Sequence, residues 1–199
     1  MNLSKIILDA EEFIRQMYAD EASGHDYLHI KRVVTNAQKI LVNVTADSDL
    51  VILSAWLHDL GDYKLNGGID KSAELIRQFL EKKNVDEEKI NRMITIVSEV
   101  SFSKGKKVSS IEAAIVQDAD RLDAIGAIGI ARCFAFGGSR NRLIYGENEE
   151  QKATSSVQHF YDKLLRLKDL MNTETAKHIA LKRHQFMEEF LEKLSEEIN

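Results

Sequence analysis

Ile30, Val33, Val34, Ala37, Ile40, Leu41 and Val44 recur at the i, i+3, i+4, i+7 spacing of one helical face, and they mark the clearest amphipathic helix in the chain. Asp26, just ahead of this run, offers an N-cap. An earlier helix is expected from about Ser4 to Asp20, broken by Gly24 in "SGHD". The stretch "LVILSAWL" behaves differently, because it is apolar on every face and predicts a helix buried all round that ends at Asp59. A loop over Gly61 to Ile69 follows. Asp70 is placed to cap a fourth helix through "KSAELIRQFLEKK", and Asp86 a fifth through "EEKINRMITIVSEV". After the basic loop "SFSKGKK", Ser109 and Glu112 have the spacing of a capping box and open the long apolar stretch "IEAAIVQDADRLDAIGAIGIARCFAF", which Gly137 and Gly138 end. The polar run "SRNRLIYGENEEQKAT" predicts a mobile loop around 137–153, and two amphipathic helices close the chain, about Ser155 to Met171 and Thr173 to Glu197. There is no alternating strand pattern and no internal repeat. Proline, the usual helix breaker, is absent altogether. The expected architecture is all-α, a single-domain helical bundle over residues 1–199.

Composition narrows the partners. With 199 residues and 44% apolar content the chain can bury an ordinary globular core. A net charge of -5 gives no basic footprint for DNA or RNA, so no nucleic acid partner is expected. No uncharged run approaches the ~20 residues of a membrane helix, so no membrane partner is expected either. Cys133 is the single cysteine, which rules out an intramolecular disulfide, and the first residues lack a signal-peptide pattern. The expected compartment is the cytoplasm.

The chemistry begins at "AWLHDLGDYK". His58 and Asp59 follow directly on a buried apolar run, and an unpaired buried carboxylate is very costly, so either a cation meets Asp59 or the helix emerges there. His29 lies roughly 20° outside the apolar stripe of its helix, at 100° per residue, and looks toward the core margin. Asp118, Asp120 and Asp123 crowd one apolar stretch, where carboxylates repel unless a cation intervenes, and Arg121 can neutralise only part of that charge. Two histidines and several carboxylates at helix positions form a ligand set suited to a borderline-hard divalent ion.

These residues also carry a resemblance. "HDYLHIKRV", "WLHDLGD" and "QDADRLDAIGAIGIAR" are similar to the three blocks of the bacterial HD-domain phosphohydrolases, a metal-dependent all-α superfamily with the pattern H…HD…D. "SFSKG" and "HFYDKLLRLKDLMNTETAKHIALKRHQFMEEFL" resemble the small single-domain branch, so nearly the whole chain is covered. The resemblance implies four ligands, His29, His58, Asp59 and Asp120, to one divalent metal ion, which nitrogen and oxygen donors leave open among Mn, Fe, Ni, Co, Zn and Mg. Two imidazoles and two carboxylates leave positions for water and a phosphoryl oxygen on a six-coordinate ion.

Asp62, three residues after Asp59, either matches a position where several relatives carry an acid that orients the attacking water or protonates the leaving group, or belongs to a "GD" that merely begins the next turn. Lys64 and Lys104 are candidates for phosphate contacts. Arg121 either binds phosphate or pairs with Asp118 or Asp123. His25 is a substrate or ligand-histidine contact, or a plain loop residue, and Asp118 is either a site residue or an N-terminal or surface carboxylate. His159 is a weaker substrate-side candidate, while His178 and His184 read as surface or packing residues.

A chain without proline lacks the Gly-Tyr-Pro signature of the cyclic-dinucleotide branch, and the extra histidines of the diiron oxygenase relatives are not evident. The implied activity is therefore hydrolysis of a small-molecule phosphate ester or anhydride, most simply a nucleotide, with pyrophosphate release from a nucleoside triphosphate as one form. The competing reading is a catalytically idle HD module that binds a nucleotide or a partner protein. Tight binding without turnover would distinguish it.

Overall fold

A computed structural model describes residues 3–18, 26–62, 67–100 and 107–198. Those residues form helices and turns without strands, as the periodicity predicts: α1 (Leu3–Met17), α2 (Tyr27–Leu41), α3 (Ser48–Leu57), α4 (Ser72–Glu81), α5 (Glu87–Val100), α6 (Ile111–Asp123), α7 (Gly126–Ser139), α8 (Glu149–Thr154), α9 (Ser156–Asp162) and α10 (Glu174–Ile198). A 3₁₀ segment, Leu164–Leu170, lies between α9 and α10. The chain divides into two compact units, Met1–Asp120 and Arg121–Asn199, with the division inside α6. No single described helix is long and apolar enough to cross a membrane.

The caps form largely where the sequence offers them. The Asp26 carboxylate accepts from His29 N at 2.6 Å, Asp47 from Leu50 N at 3.1 Å and Asp86 from Lys89 N at 3.0 Å, each satisfying a backbone donor that the first turn leaves open. The expected Asp70 cap is shifted: Lys71 occupies the cap position of α4 with no side-chain cap bond, and Asp70, one residue earlier, accepts from Ser72 N at 3.0 Å. At α6 the cap is one residue later than the capping-box spacing suggests. Ser110 Oγ accepts from Ala113 N at 3.1 Å, while Ser109 N donates to Glu99 and Glu112 instead accepts from Asp47 N at 3.2 Å. Glu112 was thus recruited by a distant loop, a tertiary contact that local spacing cannot reveal.

In the first unit α3 packs against α1, α2 and α5, and α4 against α5. Leu53, Ala55, Leu57 and Leu60 are fully enclosed, and each leucine contributes about 1.5–3 kcal/mol by leaving water. That is the burial on every face that the run "LVILSAWL" predicts. The helix stops at Leu57, and turns follow: Leu60 N donates to Leu57 O and Asp62 N to Asp59 O, both at 3.1 Å. Gly61, at φ 75°, sits so close to the backbone of Lys71 and Ser72 that a Cβ would stand 2.8 Å from Lys71 C, and Lys71 N closes the loop onto Gly61 O at 2.9 Å. Only glycine fits this position.

In the second unit α10 packs on α7 and on the 3₁₀ segment, and α9 on α7, α8 and the 3₁₀ segment. Phe160 is fully buried, with Phe134 and Phe190 rings at 5.8 and 6.1 Å. The long apolar stretch is two helices rather than one. Ile125 is extended and Gly126 takes φ 78° where the Arg183 stem leaves no room for a side chain, so the helix restarts there. The helix expected over Ser155 to Met171 likewise breaks at Lys163 into α9 and the 3₁₀ segment.

The expected loop around 137–153 has structure of its own. It contains the end of α7 and most of α8, and its middle is tied down by Arg142 N to Gly137 O (2.8 Å), Ser156 N to Leu143 O (2.8 Å) and Val157 N to Ile144 O (3.0 Å).

Candidate metal centre

Three pieces of the first unit supply the site: the first turn of α2, the turn after α3, and α6 near its end. His29 enters from α2 and is 2% exposed, well inside the core margin. Its backbone N–H is fixed by the Asp26 cap, so the residue that starts the helix also sets the ring's origin. His58 caps the C-terminal end of α3. Its Nδ1 lies 2.8 Å from Ala55 O, and an imidazole donating there presents Nε2 as a bare lone pair. That Nε2 is buried and has no hydrogen-bond partner among the described residues.

Asp59 is buried beside it, and its carbonyl accepts from the Tyr18 hydroxyl at 3.0 Å and from Asp62 N at 3.1 Å. Asp120 leaves α6 with 29% of its side chain exposed, the most open of the four. Its carbonyl neighbour, Ala119 O, accepts from the buried Asn36 amide at 3.1 Å, which ties α6 to α2 one residue from the carboxylate.

The four side chains converge. His29 Nε2 is 3.4 Å from Asp59 Oδ2 and 3.6 Å from Asp120 Oδ1, while His58 Nε2 is 3.5 Å from Asp59 Oδ1 and 3.9 Å from the same Asp120 oxygen. The two imidazole rings meet edge to face at 5.4 Å. One ligand atom from each of His29, His58 and Asp120 falls within 4.8 Å of the others.

Donors bound ~2.1 Å from a common ion stand about 3.0 Å apart in an octahedral shell and about 3.4 Å in a tetrahedral one, so the observed separations suit a shared cation better than direct hydrogen bonds. The donor set, the buried unpartnered Nε2 and the second ring nitrogen held by a carbonyl all fit a divalent metal.

Of the remaining candidates, Asp62 is buried and begins the loop closed by Gly61. Asp118 is fully buried within α6, so its alternative as an N-terminal or surface carboxylate is corrected: the α6 register turns it inward. Arg121 Nη1 donates to Leu170 O, and Asp123 is bound by Arg132 Nη1 at 2.6 Å. His178 is exposed and His184 buried, as a surface and a packing residue should be. His25, Lys64 and Lys104 lie outside the described residues.

Tyr18 and Asn36 are the supporting residues that sequence reasoning missed. Asn36 carried a signal, since it follows His29 by seven residues and so shares its face of α2, where a polar residue has to find a partner. Tyr18 carried none.

Comparison with known proteins gives the family. The model of the HD domain matches residues 26–125, a span that contains all four converging side chains. The Bacillus subtilis protein YpgQ is 41% identical over 190 residues, covering 94% of this chain and 90% of its own. A crystal structure of YpgQ in complex with ADP superposes with a TM-score of 0.80 at 38% identity, covering 99% of this chain and 98% of that one. An HD-superfamily hydrolase from Bacillus thuringiensis superposes with a TM-score of 0.83 at 38% identity, covering 100% and 99%. On the matched span and these likenesses over nearly its full length, the chain belongs to the HD-domain family.

Proposed function

We propose that the protein is a divalent-metal-dependent phosphohydrolase acting on a small phosphorylated metabolite, a nucleotide above all, with nucleoside triphosphate pyrophosphohydrolysis as its most specific form. The observation that carries this reading is the convergence of His29, His58, Asp59 and Asp120, with the His58 lone pair buried and unpartnered. The ADP bound by YpgQ supports a nucleotide as the ligand class.

His29, His58, Asp59 and Asp120 would hold the ion. A bound divalent ion supplies Lewis acidity toward a phosphoryl oxygen and makes water acidic enough to attack at neutral pH. The chain's own residues do the rest. His58 has its Nδ1 2.8 Å from Ala55 O, which orients the ring so that Nε2 is the nitrogen left to hold the ion. Asp59 is oriented through its backbone by Tyr18 and Asp62. Asp120, with 29% of its side chain exposed, is the most open of the four ligands. Asp62 is assigned the proton transfer, taking one from the attacking water or giving one to the leaving oxygen. Lys64, Lys104, His25 and Arg121 are the candidate contacts to the substrate's phosphates.

The test is a panel of nucleotides and phosphate esters incubated with protein loaded in turn with manganese, cobalt, nickel, zinc and magnesium, with phosphate and pyrophosphate assayed separately. Turnover of at least one nucleotide is expected, abolished by EDTA and by His58→Ala. Turnover no greater than that of His58→Ala across the whole panel would discard the proposal. Asp62→Asn should retain metal while losing turnover.

A further inference from the structure

The second unit has a concavity of about 530 Å³ lined by Arg140, Arg142, Thr154, Ser155, His159 and Asp162 among others. Its volume lies within the range of small-molecule sites. Its two guanidinium groups are unusual in this chain. The protein is net acidic, at -5, and its other arginines are largely engaged: Arg77 with Glu87, Arg132 with Asp123, Arg121 and Arg183 with backbone carbonyls. Arg140 and Arg142 have no carboxylate partner among the described residues. Arg140 lies over the Phe136 ring at 5.5 Å, which leaves its N–H edges available.

The loop that presents them is rigidly built. Arg140 N and Arg142 N both donate to Gly137 O, at 3.1 and 2.8 Å, and the next two residues are bonded through their carbonyls to Ser156 N and Val157 N. The backbone that carries both cations is therefore held before any ligand arrives, which lowers the part of the ordering cost that the loop would otherwise add to binding. His159 adds a neutral hydrogen-bonding ring. Burial first, then Lys163 and Arg142, push it below its ordinary pKa of 6.5. Asp162 is the one carboxylate in the lining, and its Oδ1 already accepts from Gln158 at 2.8 Å. Paired forks of N–H donors around a hollow suit a tetrahedral oxyanion.

We propose that this concavity of the second unit is an anion site for the phosphate group of a small ligand, gripped by Arg140 and Arg142 with His159 beside them. It does not depend on the metal centre, and its test can fail without touching that reading. Full-length protein is followed by hydrogen–deuterium exchange and calorimetry with four probes: inorganic phosphate, pyrophosphate, ADP and adenosine. Phosphate-bearing probes are expected to protect amides within 137–162 and adenosine to leave them unchanged. A preference for ADP over phosphate would identify a nucleotide as the source, and equal affinity a free phosphate.

Arg142→Gln and Arg140→Gln should each weaken binding about tenfold or more, with Arg142→Lys intermediate, because a charged hydrogen-bond donor is removed or replaced by a point charge. His58→Ala should leave the protection intact. No protection in 137–162, protection that survives the Arg140→Gln/Arg142→Gln pair, or protection lost in His58→Ala would each overturn the proposal.

Discussion

Replacing Asp120 by asparagine separates a metal centre from an ordinary ion-pair cluster, because the two make opposite forecasts for stability. The Asp120 carboxylate is 3.6 Å from His29 and 3.9 Å from His58, beyond good hydrogen-bond length, and it is nearly one third exposed. Contacts of that kind are worth ~0–1 kcal/mol, and the amide keeps the volume, so Asp120→Asn should change metal-free stability by less than about 1 kcal/mol. On the proposed reading the same change removes one of four ligands. If a four-ligand site contributes about 10–16 kcal/mol, a quarter of that is about 3 kcal/mol, or at least ~100-fold in metal affinity.

The assay is thermal unfolding with EDTA and with manganese. Wild type at metal concentrations ~1,000 times Kd should gain about 4 kcal/mol, or about 8–16 °C in Tm for a chain of this size, and Asp120→Asn should gain far less at the same concentration. A wild-type Tm indifferent to every divalent ion would refute the reasoning, as would a variant that loses more than ~3 kcal/mol in EDTA or keeps the full metal shift.

Tyr18→Phe removes a donor to Asp59 O, but Asp62 N still donates to that carbonyl at 3.1 Å, so the cost should be about 1 kcal/mol by denaturant titration rather than the larger penalty of an orphaned acceptor. A loss above ~2 kcal/mol would mean the hydroxyl does more than share an acceptor. Gly61→Ala forces a Cβ to within 2.8 Å of backbone at φ 75°, and should cost at least about 2 kcal/mol with loss of turnover; a silent substitution would show the loop to be freer than its geometry. Burial raises the Cys133 thiol to about 11, so at pH 8 the native protein should react with iodoacetamide about two orders of magnitude more slowly than the unfolded chain. For a thiol raised this way, the stability it contributes is complete below about pH 9 and lost as pH climbs toward 11, and a Cys133→Ala comparison of urea midpoints across that window tests the sign.

Helices were legible wherever one face or all faces were apolar. α2 is carried by its stripe and Asp26, and α3 by its unbroken run, and both formed, although α2 ends at Leu41, before Val44, and α3 at Leu57 rather than Asp59. Breaks were less legible. The stop at Ile125 and Gly126 depends on the Arg183 stem arriving from α10, and the recruitment of Glu112 depends on the Asp47 backbone, so neither is written in the local sequence. The site divides in the same way. His58 and Asp59 stand out because polar groups follow an apolar helix, but the pairing of His29 with Asp120 spans most of the first unit and was available only through resemblance.

The backbone bonds behind the ligands argue that the site is built before the ion binds. His29 is fixed through its N–H by Asp26, His58 through Nδ1 by Ala55 O, Asp59 through its carbonyl by Tyr18, and Asp120 through its neighbour's carbonyl by Asn36. None of these bonds uses a coordinating atom, so each survives when the ion leaves, and the apolar packing of α3 against α1, α2 and α5 holds the turn that carries His58 and Asp59. A site anchored this way should behave unlike a zinc finger, whose folding free energy is its metal affinity. Metal should raise Tm by mass action while the far-ultraviolet dichroism of the metal-free protein stays that of the loaded one. A large gain in helix content on adding metal would show that the ligands, and not the bonds behind them, assemble the centre.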